Sequence, residues 1–338
     1  MRNIKELSRQ QLAEWLKEQG QSAYREKQLF RWICKGASSF DEMTDISKEL
    51  RASLSEHFSC ESISVELVQI SKDGTRKYLL KLCDGNFVEA VFMKYEYGNT
   101  LCISTQVGCN MGCVFCASGI GGKIRNLYAW EILDEYLVCR KEAGEDINHI
   151  VLMGMGEPFD NYDNVSEFLK DIHDPDGIGL SYRNITLSTS GIIRKIYAFA
   201  DDFPQVNLAI SLHTATQEER EKLMSVAKGN RLDDLIKACR AVSEKTRRRI
   251  TFEYALIAGQ NDRDEDVKKL SSLLSGMLCH INLIPLNPVA ENGMQGSTKD
   301  AAMQFASKLE KSGIPATVRR SLGRDIDAAC GQLRKKHT

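Results

Sequence analysis

Apolar residues recur at helical spacing through roughly the first sixty positions, then alternate, then settle into a repeating strand–helix rhythm. "SRQQLAEWLKEQG" puts Leu12, Trp15 and Leu16 on one face behind a Ser8 cap, and Gly20 ends it. "SAYREKQLFRWICKG" repeats the form and stops at Gly36, and "DISKELRASLSEHF" supplies a third helix. From about 63 to 95 the period changes to two in "SVELVQIS", "RKYLLKLC" and "NFVEAVFM". Asp73-Gly74 and Asp84-Gly85 read as the hairpin turns between them. The pattern divides the chain into a helical module over 1–60, an antiparallel hairpin segment over 61–96 and a larger unit over 97–338.

In that larger unit "TLCIST", "HIVLMG", "NITLST", "VNLAISLH", "ITFEYALI", "HINLIPL" and "PATVRRS" are the strands. Helical stretches such as "NVSEFLKDIH", "RLDDLIKACRAV" and "TKDAAMQFASKLEKSG" lie between them. Such alternation implies a parallel sheet with right-handed crossovers. Six or so units are too few to close an eight-fold barrel, so the expected α/β architecture is an open, partial (βα)6-type barrel, preferred over a flat doubly wound sheet. The front of the chain then forms a small N-terminal α+β accessory domain. In either architecture ligands collect at the C-terminal strand ends. There "HIVLMG" runs into "MGEP", "NITLS" into "TSG", "NLAI" into "SLH" and "NLIPL" into "NP". Four small or polar strand ends in register point to one pocket over the sheet.

Hydrophobic content of 42% and charged content of 27% are ordinary for a soluble globular protein. No apolar run is long enough for a membrane span, and the first twenty residues read as an amphipathic helix, so a cytoplasmic protein is expected. The formal net charge of −1, from 45 basic and 46 acidic residues, gives no global case for a nucleic-acid partner. Local patches are Arg25, Lys27, Arg31 and Lys35; "TRRR" ending at Arg249; Arg319 with Arg320; and the tail "RKKH". For any one of them alone, a solvated charged face is the blander reading.

Eleven cysteines without a secretory signal do not suggest a disulfide framework. Cys34, Cys139 and Cys239 fall in helical patterns and read as buried inert thiols, and Cys60, Cys83 and Cys279 as structural. Cys109, Cys113 and Cys116 are different: they crowd as C-x3-C-x2-C in a loop after the first barrel strand, punctuated by Gly108, Gly112 and Gly119. A closed zinc site wants four ligands, and no histidine is near. Three thiolates fit an iron–sulfur cubane better, leaving one iron open for a substrate or cosubstrate.

At this point the chain resembles a known group. "CNMGCVFC" is similar to the cysteine motif of the radical S-adenosylmethionine (SAM) enzymes, and "MGMGEP" to their GGE-type strand end. "QVGCNMGCVFCASG", "MGMGEP", "ITLSTSG", "AISLH", "NLIPLNP" and "DIDAACGQL" in order resemble the radical methyltransferases that methylate adenosine C2 in ribosomal and transfer RNA. The resemblance covers essentially the whole chain. It implies a radical-SAM barrel, a 4Fe-4S cluster on Cys109, Cys113 and Cys116, and SAM held by Gly156, Glu157, Ser188, Ser211, Leu212, His213 and Asn287. It also implies two SAM per turnover. Cys330 would be methylated first and then carry the methyl group to the base. Cys102 would release the resulting covalent adduct by forming a transient disulfide with Cys330, and Glu89 would accept a proton. For Glu89 the blander reading is a solvent-facing strand carboxylate, and for His213 a core histidine. The implied substrates are an adenosine in 23S rRNA at the peptidyl transferase centre and the adenosine 3′ to the anticodon in some tRNAs. A flavodoxin or ferredoxin would donate electrons to a monomeric enzyme, and the 1–60 module would help hold RNA. Tyr128 departs from the family, which more usually has a hydroxyl helix cap there. The related branch that methylates adenosine C8 shares all these motifs. A rival of another class is a non-catalytic metal- or RNA-binding protein.

Overall fold

The computed structural model describes residues 1–289 and 293–333, so the "RKKH" tail lies outside the described residues. Ten strands form one sheet: β1 (Ser64–Ile70), β2 (Arg76–Lys81), β3 (Phe87–Tyr95), β4 (Gly98–Ile103), β5 (His149–Leu152), β6 (Ile185–Thr189), β7 (Asn207–Ser211), β8 (Ile250–Leu256), β9 (Cys279–Pro285) and β10 (Ala316–Val318). They lie side by side in chain order from β1 to β10. The ladders joining β1 to β4 are antiparallel. From β4 onward every ladder is parallel.

That unbroken order separates the two architectures weighed above. A doubly wound sheet reverses its strand order at a switch point, and this sheet never reverses. Right-handed crossovers that all advance one way keep their helices on one face. The connecting helices are α4 (Ala129–Ala143), α5 (Tyr162–His173), α6 (Ile193–Asp202), α7 (Gln217–Leu223), α8 (Leu232–Thr246), α9 (Asp264–Leu274) and α10 (Lys299–Lys311). Side chains from β5 through β9 converge on one cavity, which a flat sheet would not allow. The sheet is therefore a partial barrel. The two Asp-Gly turns form as expected, with Gly74 at φ +86° and Gly85 at φ +84°. The hairpin segment does not stand apart: Val91 of β3 pairs with Cys102 of β4, so the antiparallel strands extend the barrel sheet and cover the edge β4 would otherwise expose.

Residues 1–60 fold around their own core. Helices α1 (Arg9–Glu18), α2 (Tyr24–Cys34) and α3 (Lys48–His57) close over Leu12, Leu16, Leu29, Ile33, Leu50 and Leu54. Ser8 and Gln11 cap α1 reciprocally. At α4 the Tyr128 amide donates to Glu131 Oε2 (2.9 Å), so the helix start is capped without a hydroxyl. The module is fastened to the barrel by charge. Lys5 Nζ lies 3.0 Å from Asp134 on α4, with both side chains buried. Arg9 bridges Glu26 to Asp174 at 2.5 Å each. Lys27 and Arg31 sit 3.2 and 3.5 Å from Asp176, so two of the four basic residues proposed for RNA are partly neutralised by this junction.

Removing one partner of a buried ion pair strands the other charge in a low dielectric, typically at about 3 kcal/mol. Lys5→Ala should lower the unfolding free energy by about that amount. Adding Asp134→Leu should recover most of it; both are read by denaturant titration.

Candidate active site

The cysteine loop leaves β4 and winds back on itself because its glycines permit it. Gly108 has φ +78°, and a Cβ there would lie 2.0 Å from the Gly122 carbonyl oxygen. Gly112 has φ +62°, with Ser225 Oγ 2.6 Å from where a Cβ would stand. Ser225 Oγ donates to the Met111 carbonyl (2.6 Å), and the Val114 amide donates to the Leu223 carbonyl (3.0 Å). Held this way, Cys109, Cys113 and Cys116 all line the cavity over the strand ends.

Burial, with the neighbouring thiols adding to it, pushes Cys109 up to about 12 and Cys113 well above the usual thiol range. Such thiols ionise only against a positive charge, which is the environment a thiolate-ligated metal group supplies. Among the described residues no three His, Cys, Asp or Glu side chains converge on one point as a mononuclear site requires. A cluster asks less, since each thiolate takes its own iron. The donor set therefore fits a 4Fe-4S cluster with one iron left for SAM.

Opposite the loop, β5 ends in Gly154 and Gly156. A Cβ on Gly154 would lie 2.6 Å from the Ile103 carbonyl oxygen, and one on Gly156 (φ +104°) 2.6 Å from Gln106 Cβ. This close passage of two strand ends turns Glu157 inward. Its carboxylate is buried and accepts the Ser190 amide at 2.7 Å and the Phe159 amide at 3.1 Å, while burial raises its pKa against those bonds. Ser188, Ser211 and Asn287 line the same cavity, but Leu212 is fully buried and turns the backbone without facing it.

His213 has φ +59°, an unusual conformation for a non-glycine residue. Its Nδ1 accepts the Ala255 amide (3.0 Å), which assigns the proton to Nε2, and its ring stands edge-on to Phe115 at 4.6 Å. Burial and then Arg220 push its pKa down to about 3.

Arg220 was not legible in the sequence, where "QEEREKL" reads as a charged outer helix. It is fully buried, and its guanidinium donates to the carbonyls of Ser190 (2.6 Å) and Ser211 (3.2 Å), tying the ends of β6 and β7. Glu253 on β8 also lines the cavity, held by Asn282 Nδ2 at 2.9 Å.

Cys330 lies between this cavity and a smaller one beside it, and lines both. Cys102, at the end of β4, lines the smaller cavity. Both are free thiols. Burial and then Cys330 push Cys102 up to about 12. Cys330 is exposed, yet the protein crowding its thiol raises it, while the nearby Arg319 guanidinium works the other way. The structure thus corrects the reading of Arg319 as half of a surface patch: it faces the two thiols, and only Arg320 is exposed. The "TRRR" patch lies just before Ile250, at the opposite ends of the strands from the cavity. Glu89 is not solvent-facing. It is buried on the β3 face that also presents Val91 and Met93 to the smaller cavity, 3.2 Å from Lys77 Nζ.

A family profile described as the Radical SAM superfamily matches residues 103–271. Together with the open barrel and the three-thiol loop, this sets the class: a radical SAM enzyme. A profile described as the ribosomal RNA large subunit methyltransferase N-terminal domain matches residues 2–60. The probable dual-specificity RNA methyltransferase RlmN of Thermoanaerobacter sp. (strain X514) is 51% identical over 339 residues, covering 100% of this chain and 99% of that protein. That of Alkaliphilus oremlandii (strain OhILAs) is 52% identical over 332 residues, covering 98% and 97%. The crystal structure of a radical SAM methyltransferase from Sphaerobacter thermophilus matches at a TM-score of 0.93 and 40% identity, over 99% of both chains. The chain belongs to the RlmN family of radical SAM methyltransferases.

The depressed His213 pKa has a signed consequence. Between pH 6.5 and about 3 the unfolded chain takes up a proton that folded His213 refuses, so stability falls as pH falls through that window. His213→Asn keeps an acceptor for the Ala255 amide and removes the titration. Denaturation at pH 7 and pH 5 should show the variant losing about 2 kcal/mol less than the parent between the two.

Proposed function

We propose that this chain methylates C2 of an adenosine in 23S rRNA, and of the adenosine 3′ to the anticodon in certain tRNAs, through a methyl group carried on Cys330. The observation that carries this reading is the position of Cys330, shared between a cavity walled by Cys109, Cys113, Cys116 and Glu157 and a cavity walled by Cys102. A carrier thiol has two partners to meet, a methyl source and a resolving thiol, and this one faces both chambers.

The 4Fe-4S cluster with bound SAM supplies a methyl group and a hydrogen-abstracting radical. Everything else falls to the chain. Cys109, Cys113 and Cys116 hold the cluster. Gly156, Glu157, Ser188, Ser211, His213 and Asn287, which line the cavity, hold SAM. Glu157 is suited to the methionine amino group because its carboxylate is already aimed by two backbone amides. Neutral His213 offers an Nε2–H donor and no charge. Cys330 accepts the first methyl group and presents it to the base, becoming covalently joined to adenine. Glu89, fixed by Lys77, takes the proton lost from C2. Cys102 attacks the Cys330 sulfur, forming a disulfide and releasing the methylated base. Two SAM are consumed per turnover, and a flavodoxin or ferredoxin is the electron source. We read the enzyme as a cytoplasmic monomer; no helix among the described residues is long and apolar enough to cross a membrane. Phosphate contacts from the 1–60 module position the RNA, and an unpaired adenosine enters the pocket.

Anaerobically reconstituted protein should be brown and hold about four irons. It should convert an rRNA fragment to 2-methyladenosine, mapped by mass spectrometry. A colourless protein holding one zinc, or exclusive 8-methyladenosine, would overturn the reading. Cys330→Ala should abolish methylation with the cluster intact. Cys102→Ala should accumulate a covalent protein–RNA adduct on denaturing gels, and normal turnover by that variant would remove its resolving role.

A further inference from the structure

The segment that carries Cys330 is held at two ends. On the cluster side the Ala117 amide donates to the Gly331 carbonyl (2.8 Å), and Asn287 Nδ2 donates to the Cys330 carbonyl (3.2 Å). The other end rests on the turn between β1 and β2, far from the strand ends in sequence. Asp73 Oδ2 accepts the Gly323 amide at 2.9 Å, while its Oδ1 accepts the Thr75 amide at 2.9 Å. In return Asp325 reaches back to the turn: Ser71 Oγ donates to its Oδ1 at 2.5 Å and the Lys72 amide to its Oδ2 at 3.2 Å. Two carboxylates, one from each side, are thus exchanged across one contact. The fit is close as well as polar. Gly323 has φ +64°, and a Cβ there would lie 2.7 Å from Ala328 Cβ and 3.0 Å from Thr75 Cγ2. Lys77 adds a third tie, donating to the Asp327 carbonyl at 3.4 Å while paired to Glu89.

We infer that the β1–β2 turn is the seat of the arm bearing Cys330, and that Asp73 and Asp325 are positioning residues for methyl transfer. The inference rests on the carrier role proposed for Cys330. With Gly323 and Asp325 pinned to the turn and Asp327 to Lys77 on the adjoining β2, only a few residues separate the seat from the thiol. Cys330 is then confined to the space between the two cavities it lines. Released from the turn, the same thiol would sit on a loosely held segment and meet either partner rarely. Neither carboxylate touches the cavities, so their effect runs through the arm.

The test uses the full-length reconstituted protein with Asp73→Ala and Asp325→Ala combined. Cluster absorbance and reductive SAM cleavage should match the parent. Iodoacetamide labelling of Cys330, followed by mass spectrometry, should accelerate roughly tenfold while Cys102 labelling stays within about twofold. The yield of the Cys102–Cys330 disulfide under mild oxidation should fall. With RNA, kcat should drop roughly tenfold to a hundredfold at nearly constant KM, the size expected for losing hydrogen bonds to charged groups. Asp73→Asn retains one acceptor oxygen and should restore much of the loss. If the double variant is unstable, Asp325→Asn alone serves, with the same labelling and disulfide readouts at smaller amplitude. Labelling and disulfide yield equal to the parent's would overturn the inference. A parent enzyme that methylates no adenosine would instead defeat the functional reading, and the labelling and disulfide measurements would still decide how the arm is seated.

Discussion

The hydrogen bond from the Ala117 amide to the Gly331 carbonyl joins the loop after the first barrel strand to the last part of the chain. Most of the site depends on that juxtaposition. It brings a thiol from position 330 over a cavity walled by thiols from 109 to 116, and the barrel between them is the frame that allows the meeting. Ser118 reinforces it by donating to the Leu333 carbonyl. On the far wall the two strand-end glycines allow the end of β5 to pass within contact of β4 and turn Glu157 inward. Each wall is set by backbone hydrogen bonds and close backbone approach, so the geometry is fixed before any cofactor or substrate arrives.

Electrostatically the site is a set of acids held back. Burial raises the pKa of Cys102, Cys109, Cys113, Glu157 and Glu253 alike. Two arginines stand among them: Arg220 beneath the strand ends and Arg319 beside the carrier thiol. Burial disfavours the charged form of each, so the thiols among them ionise only where a partner charge is supplied. The histidine at its edge stays uncharged for the same reason.

The sheet and the sulfur loop were legible because their signals are local. Alternation in "NFVEAVFM", the Asp-Gly turns and C-x3-C-x2-C need only neighbours to be interpreted. The strand-end glycines and polar residues were legible for the same reason. Arg220 and Arg319 were not, because each sits in a run of charged residues that resembles an outer face. The burial of Arg220 and the inward placement of Arg319 are decided by elements tens of residues away. The solvent-facing alternative for Glu89 failed in the same way: the alternation is real, but Glu89 shares the β3 face that carries Val91 and Met93 to the smaller cavity, and it pairs there with Lys77. Nor does anything near Asp73 or Asp325 in the sequence announce that two ordinary turn residues face one another.

The strand order has a consequence for how the molecule is made. Each strand from β2 to β10 pairs with the strand of this sheet that comes just before it in the chain, so the sheet can grow at a single edge as the chain emerges, without waiting for a distant partner. The turn that receives the arm is made before the barrel strands, and the arm after them. Until the arm follows β10, the three-thiol loop lacks its hydrogen bonds to the Gly331 and Leu333 carbonyls. Closing of the site over that loop is therefore placed after the barrel by the topology itself.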